Sequence, residues 1–176
     1  RASGAQVFLT CRFFDLGKAA QKELRNIVGE GGSLSLSPEK YQKVLSALDA
    51  VSDAKVLASL PLAVRPGSEA TVKWVQEIIY DSQQGLLTRE YGSILRVSKP
   101  TVDGSRINMH VVTALCYPKK SNGKVVYSSP STIAGSSEIG LSSGQTLISP
   151  VSVDEGLLEP GHKCYMAVTA RLIGKE

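Results

Sequence analysis

The chain of 176 residues is poor in the residues that most often carry chemistry: it holds 3 cysteines, 2 histidines and 1 tryptophan. Cys11, Cys116 and Cys164 stand too far apart for a zinc ribbon or a Cys-x-x-Cys redox pair. They leave two arrangements open, one disulfide with a spare thiol or three buried thiols. Nothing approaches the roughly 20 apolar residues of a membrane helix, so a helical span is not expected. No phosphate loop is expected either. Gly29, Gly31 and Gly32 follow a helical pattern rather than a strand, and no Gly-Lys-Ser/Thr appears. A Gly-x-Ser-x-Gly nucleophile elbow is likewise not expected. The chain begins at Arg1 without an apolar signal core, which reads as a mature or trimmed chain with its targeting segment out of view.

One-sided charge is also lacking. There are 20 basic and 16 acidic side chains, a net charge of +4, and they are scattered. The nearest thing to a cluster, Lys119, Lys120 and Lys124, surrounds one turn. It reads as a solvated loop tip rather than a phosphate-contacting patch. Neither nucleic acid nor a small-molecule substrate is expected as a partner, and no cofactor or metal.

What is present is periodicity. Val7, Leu9, Cys11 and Phe13 alternate with Phe8, Thr10, Arg12 and Phe14, which predicts a strand. Ala20, Leu24, Ile27 and Val28 fall at helical spacing, so a short amphipathic helix is expected over 17–28, stopped by the glycines after it. A second helix is predicted over 38–51. Ser37 can cap it, Pro38 fits its first position, and Leu36 with Tyr41 can form a hydrophobic staple. Tyr41, Val44, Leu45 and Leu48 make its apolar stripe. Strands are expected over 55–59, 62–65, 70–80, 93–98, 106–117, 125–127, 146–153 and 163–173. Pro66-Gly67, Asp103-Gly104 and Asn122-Gly123 mark turns between them. The Ser/Gly-rich stretch 128–143 reads mostly as loop. Val72, Trp74 and Ile78 form either a core face or an assembly surface; the core face is the favoured expectation, since a lone strand tryptophan is usually buried. Few helices and many antiparallel strands predict an α+β fold, with one or two helices packed on largely antiparallel sheet.

The candidates for chemistry are few. His110 lies mid-strand with Asn108, Val112, Ala114 and Cys116 on its face, and His162 sits in a turn after Pro160-Gly161. Six residues along one strand separate His110 from Cys116 by roughly 20 Å, which excludes a dyad. A pairing of His162 with Cys164 or Cys116 stays open, and with it an enzyme that uses one of these thiols as nucleophile. Against it, Cys11 and Cys164 alternate with apolar residues, where burial raises a thiol pKa and disfavours thiolate. Asp154-Glu155 is an acidic pair after a strand and reads as a solvated turn.

Several blocks, in order, resemble the secretin core domain, the outer-membrane channel family of type II and type III secretion and of type IV pilus systems. They are the strand from Gln6 to Phe14, the helix from Ser37 to Leu48, the strand pair from Ala54 to Val64 and the turn Pro66-Gly67-Ser68-Glu69-Ala70. Glu77-Ile78-Ile79-Tyr80, the stretch from Tyr91 to Val102, Ser143-Gly144-Gln145-Thr146-Leu147-Ile148 and the closing strand to Ile173 follow. Ser149-Pro150 departs from the pattern, which has two glycines there, and the proline marks a strand end or an edge. The segments 80–91 and 117–141 leave little room for a gate hairpin and a lipid-facing hairpin, and no ring-forming domain is expected before the core. The resemblance implies one secretin-like domain over 1–176, reduced relative to a gated pore. It implies a noncatalytic envelope protein of the periplasm or outer membrane, a component or accessory of a type IV pilus or type II secretion system. Implied partners are proteins of that apparatus and other copies of the chain, with outer-membrane association. The alternative is a surface-displayed β-sandwich adhesion or binding module.

Overall fold

The computed structural model describes residues 4–154 and 156–174. Strand β1 (Gln6–Leu16) leads into helix α1 (Lys18–Val28), the short strand β2 (Leu34–Leu36) and helix α2 (Pro38–Asp49). Seven strands follow: β3 (Ala54–Val64), β4 (Glu69–Ser82), β5 (Gly85–Asp103), β6 (Arg106–Ser121), β7 (Lys124–Ser142), β8 (Thr146–Val151) and β9 (Lys163–Ile173). They form two antiparallel sheets. The first has the order β2-β8-β9-β1-β3, and the second is the meander β4-β5-β6-β7. This is the α+β architecture expected from the patterning.

The alternation in β1 sets the layering. Val7, Leu9, Cys11 and Phe13 enter a core shared with the second sheet, where they meet Leu95, Val97, Ile107, Met109 and Leu115. Phe14 and Leu16 pack instead with the helices, among Ala20, Leu24, Tyr41, Val44 and Leu48. The first sheet is therefore covered on both faces, by helices on one and by the second sheet on the other. A large apolar side chain fully buried in either interface contributes about 1.5–3 kcal/mol.

The helices end as their sequences dictate. The Ser37 hydroxyl accepts from the Lys40 amide at 3.2 Å, and Pro38 occupies the first turn of α2. Helix α1 has no cap of its own. The Asp53 carboxylate arrives from beyond α2 and accepts from the amides of Ala19 at 2.9 Å and Ala20 at 3.0 Å. A carboxylate there satisfies orphan donors and meets the positive end of the helix dipole. Gly17 makes room for it: a Cβ at that position would lie 2.4 Å from Asp53 Oδ2.

Three expectations are corrected. Strand β7 runs through the stretch read as loop, because Ser131, Ile133, Ile139 and Leu141 point into the core while Thr132, Ala134, Ser136, Glu138, Gly140 and Ser142 fill the other face. The two strands expected over 55–65 are one, β3; it tolerates Pro61 as the edge strand of its sheet. Strand β5 is far longer than 93–98, since its first residues pair with the end of β4 around the turn at Gln83-Gln84. Pro150 lies where the sequence placed it, near the end of β8 and past the three residues that β2 pairs, so its missing amide leaves no partner unmet.

Candidate assembly surface

Strands of the first sheet are at most 11 residues long, whereas β5 and β7 each have 19. The second sheet therefore overhangs the first. Gly92 marks where β5 parts from β6: it opposes Cys116, and no residue of β5 before it pairs with β6. Its φ of 143° and the approach of the Trp74 carbonyl leave no space for a Cβ. Beyond it the β4–β5 hairpin projects as a two-stranded ribbon. The β6–β7 hairpin projects beside it and closes on Asn122-Gly123, both at positive φ, as a two-residue turn requires. Arg89 Nη1 donates to the Ser128 carbonyl at 3.2 Å, and the Tyr91 hydroxyl to the Tyr127 carbonyl, which ties the hairpins together.

The ribbon carries large apolar side chains on both faces, among charged ones. Trp74, Tyr80 and Leu87 share one face, and Val75, Ile79 and Leu86 the other. Trp74 is 62% exposed, Ile79 68% and Leu86 71%. This corrects the expected core role of Trp74. It does face inward, in the row Trp74, Ser93, Leu115, Ile133. That row leaves the edge strand just past the point where Ala70 and Val72 still reach the core. Val72 is half-buried there, and Ile78 lies half-buried on the ribbon. Adjacent apolar pairs at 74–75 and 78–79 were the available signal, because a half-buried strand shows only one apolar face.

Both edges of the second sheet, β4 and β7, are free of partners among the described residues. The two-residue turn makes Ser82 and Gly85 a hydrogen-bonded pair. Counting back along β4, every second residue turns its amide and carbonyl toward β5. Thr71, Lys73 and Val75 then direct theirs outward, a row of unpaired donors and acceptors of the kind that templates another strand.

The residues singled out for chemistry do not converge. All three cysteines are free thiols. Burial pushes Cys11 up to about 12; burial and then the Asp15 carboxylate push Cys164 up to about 11. His162 pairs with neither Cys164 nor Cys116. Its Nδ1 lies 2.7 Å from Asp15, and its Nε2 lies 3.4 Å from Glu159. Gln21 binds the same turn by donating to the Gly161 carbonyl at 2.8 Å and to the Leu16 carbonyl at 2.9 Å. His110 touches Ser136 Oγ through Nε2 at 2.9 Å and stands 2.8 Å from Glu138 through Nδ1. The second contact lacks hydrogen-bond geometry, and Glu138 is 80% exposed, so it is a solvent-screened contact rather than an oriented base. The run Gly140-Leu141-Ser142-Ser143-Gly144 does have Gly-x-Ser-x-Gly spacing, contrary to expectation. It ends β7 and turns into a strand, not a helix, so it makes no elbow. Asp154 is exposed in a turn, and Glu155 lies outside the described residues. Among the described residues no group of three His, Cys, Asp or Glu side chains could hold a metal, and no helix is long and apolar enough to cross a membrane.

In the native protein at pH 8, iodoacetamide is expected to modify Cys116 alone, with all three thiols reacting once guanidinium unfolds the chain. Mass spectrometry of the labelled protein reads the outcome. A second native label would mean that the core admits reagent at Cys11 or Cys164.

No protein-family model matches the sequence, and no curated protein matches it. Solved structures do. The secretin of the ETEC pilotin–secretin AspS–GspD complex superposes with a TM-score of 0.52 at 10% identity, over 99% of this chain and 50% of that one. Aeromonas hydrophila ExeD gives 0.49 at 10% identity, over 97% and 49%. The secretin-domain β-barrel of InvG from the Salmonella SPI-1 injectisome gives 0.46 at 13%, over 98% and 62%. The chain spans half to about three-fifths of the length of these proteins. At such identities the likeness speaks to fold, and the AspS–GspD comparison carries it. The fold of this chain is thus a secretin-like α+β core, in line with the family that its sequence resembles.

Proposed function

We infer that the chain is a noncatalytic secretin-like component of a bacterial cell envelope, one domain over 1–176, that builds an oligomeric wall. The observation that carries this reading is the second sheet. Among the described residues it has two unpaired edges, and its overhanging ribbon exposes large apolar side chains on both faces. A strand edge of this kind is completed by another strand. Pairing β4 of one copy with β7 of the next extends the meander, and a repeated contact between unlike edges gives a ring when its rotation closes. Covering Trp74, Ile79 and Leu86 against neighbours or lipid removes them from water. Partners in this reading are other copies and the proteins of a secretion or pilus apparatus, type II secretion and the type IV pilus among them. Its place is the periplasm or the outer membrane.

Light scattering over a range of concentrations, with and without mild detergent, tests it. A discrete assembly of many copies is expected. Thr71→Pro removes an outward donor while leaving the β5 ladder intact, and is expected to reduce the assembly to monomer with an unchanged circular dichroism spectrum. A wild-type monomer under all conditions would favour the other reading, a β-sandwich binding module at the cell surface, which the two face-packed sheets also suit.

A further inference from the structure

The two flanks of the first sheet carry features that match each other. On the β3 flank the helical layer stops short of the edge. There α2 and β3 leave a groove of about 540 Å³, lined by Arg12, Phe14, Leu45, Lys55 and Val56 among others. Val56 is 55% exposed. Arg12 donates to the Tyr41 hydroxyl at 3.2 Å. Among the described residues no carboxylate lies within ion-pair distance of Arg12 or Lys55. The groove thus presents apolar walls and two cations, and the one carboxylate in its lining, Asp49, is ion-paired with neither.

On the opposite flank the chain turns through residues 29–33 into β2. All five are exposed, three are glycine, and Glu30 is the one charged side chain. A segment with so little side-chain bulk can enter a narrow groove, and it brings a single carboxylate with it.

The two features stand at one level of the sheet. The pairing register runs Leu34, Ile148, Ala167, Arg12, Ser59 straight across all five strands. Leu34 closes the glycine loop at one end of this row, and Arg12 and Ser59 line the groove at the other. The flanks also agree with those of the second sheet, since β3 packs near β4 and β5, and β8 and β9 pack near β7. A neighbour placed with its β7 edge on β4 therefore presents its 29–33 loop on the groove's side.

We propose that the α2–β3 groove receives the 29–33 loop of the next copy, with the Glu30 carboxylate set against Arg12 and Lys55. The contact is heterologous, one flank of one copy against the other flank of the next, as a ring requires. It rests on the assembly reading above and adds a second, charge-coded contact to the strand pairing.

The test is a charge swap between two exposed side chains, neither of which supports the fold. Glu30→Lys and Lys55→Glu, made singly in the full chain, are each expected to raise the concentration needed for assembly about tenfold or more, and the double variant to recover to within about threefold of wild type. Light scattering reads assembly and circular dichroism reads folding. Thr71→Pro, measured alongside, separates the two readings. If it dissolves the assembly while both single reversals leave it intact, strand pairing stands and the groove contact is wrong. If the single reversals weaken assembly but the double variant does not recover, the two residues do not face each other and the proposal fails. If the wild type never assembles, both readings fall.

Discussion

Replacing Phe13 with alanine should lower the stability of the chain by about 3–5 kcal/mol, read as a loss of unfolding free energy in urea. For a chain of this length that is a fall in melting temperature on the order of 10 °C. Phe13 is fully buried and is the largest side chain with no exposed surface. It stands on β1 between Ala58 of β3 and Met166 of β9, and it points at the second sheet. Its neighbours are anchored on paired strands on both sides, so they cannot collapse far into the vacated volume. The loss is then the transfer of the ring plus the cavity it leaves. A cost below about 1 kcal/mol would show that the two sheets slide together to fill the gap, and that the interface is not close-packed.

Gly92→Ala should cost about 2–5 kcal/mol for a different reason. Phe13→Ala removes atoms, whereas here a single methyl has nowhere to go. The new Cβ would meet the Trp74 carbonyl oxygen at 2.1 Å and the Val75 Cα at 2.8 Å, both backbone atoms of the adjacent strand. The φ of 143° is also one that side-chain-bearing residues rarely adopt. Relief requires β4 and β5 to separate where the ribbon leaves the sheet. Hydrogen exchange should therefore speed up from Trp74 to Tyr91, while β1 and β9 keep protection in proportion to the global loss. Unchanged exchange in the ribbon with an unchanged melting temperature would overturn this account.

The legible part of the fold was the part governed by one face at a time. In β6 the apolar residues fall on alternate positions, and the strand is half-covered as that pattern implies; in β1 the alternate set Val7, Leu9, Cys11 and Phe13 likewise marks the face turned to the second sheet. Helix α2 carries its cap, its proline and its stripe within a dozen residues, so local chemistry alone delimits it. Strand β7 was not legible because its inward positions are partly filled by serine, and Ser131 is buried. Glycine and serine weigh toward loop, and only the register against β6 shows that Ile133, Ile139 and Leu141 share a face. The cap of α1 was hidden for another reason: its donor–acceptor pairs join residues more than thirty positions apart. The favoured core reading of Trp74 failed because a sound generalisation about tryptophan met a strand that outruns its sheet.

The strand order has a consequence for how the molecule comes into being. The second sheet is a contiguous meander, each strand beside the one before it, and it can form hairpin by hairpin as the chain emerges. The first sheet is different, because β1 sits between β3 and β9, and Gln6 lies opposite Ile173. Until β9 is made, β1 has one empty side, and the apolar face of β1 lacks Met166 and Val168 across the gap. Closure of that sheet is the slow, nonlocal event that commits the whole fold. While β9 is still to be made, the domain holds an open strand at its centre, the state in which it most needs protection from other chains.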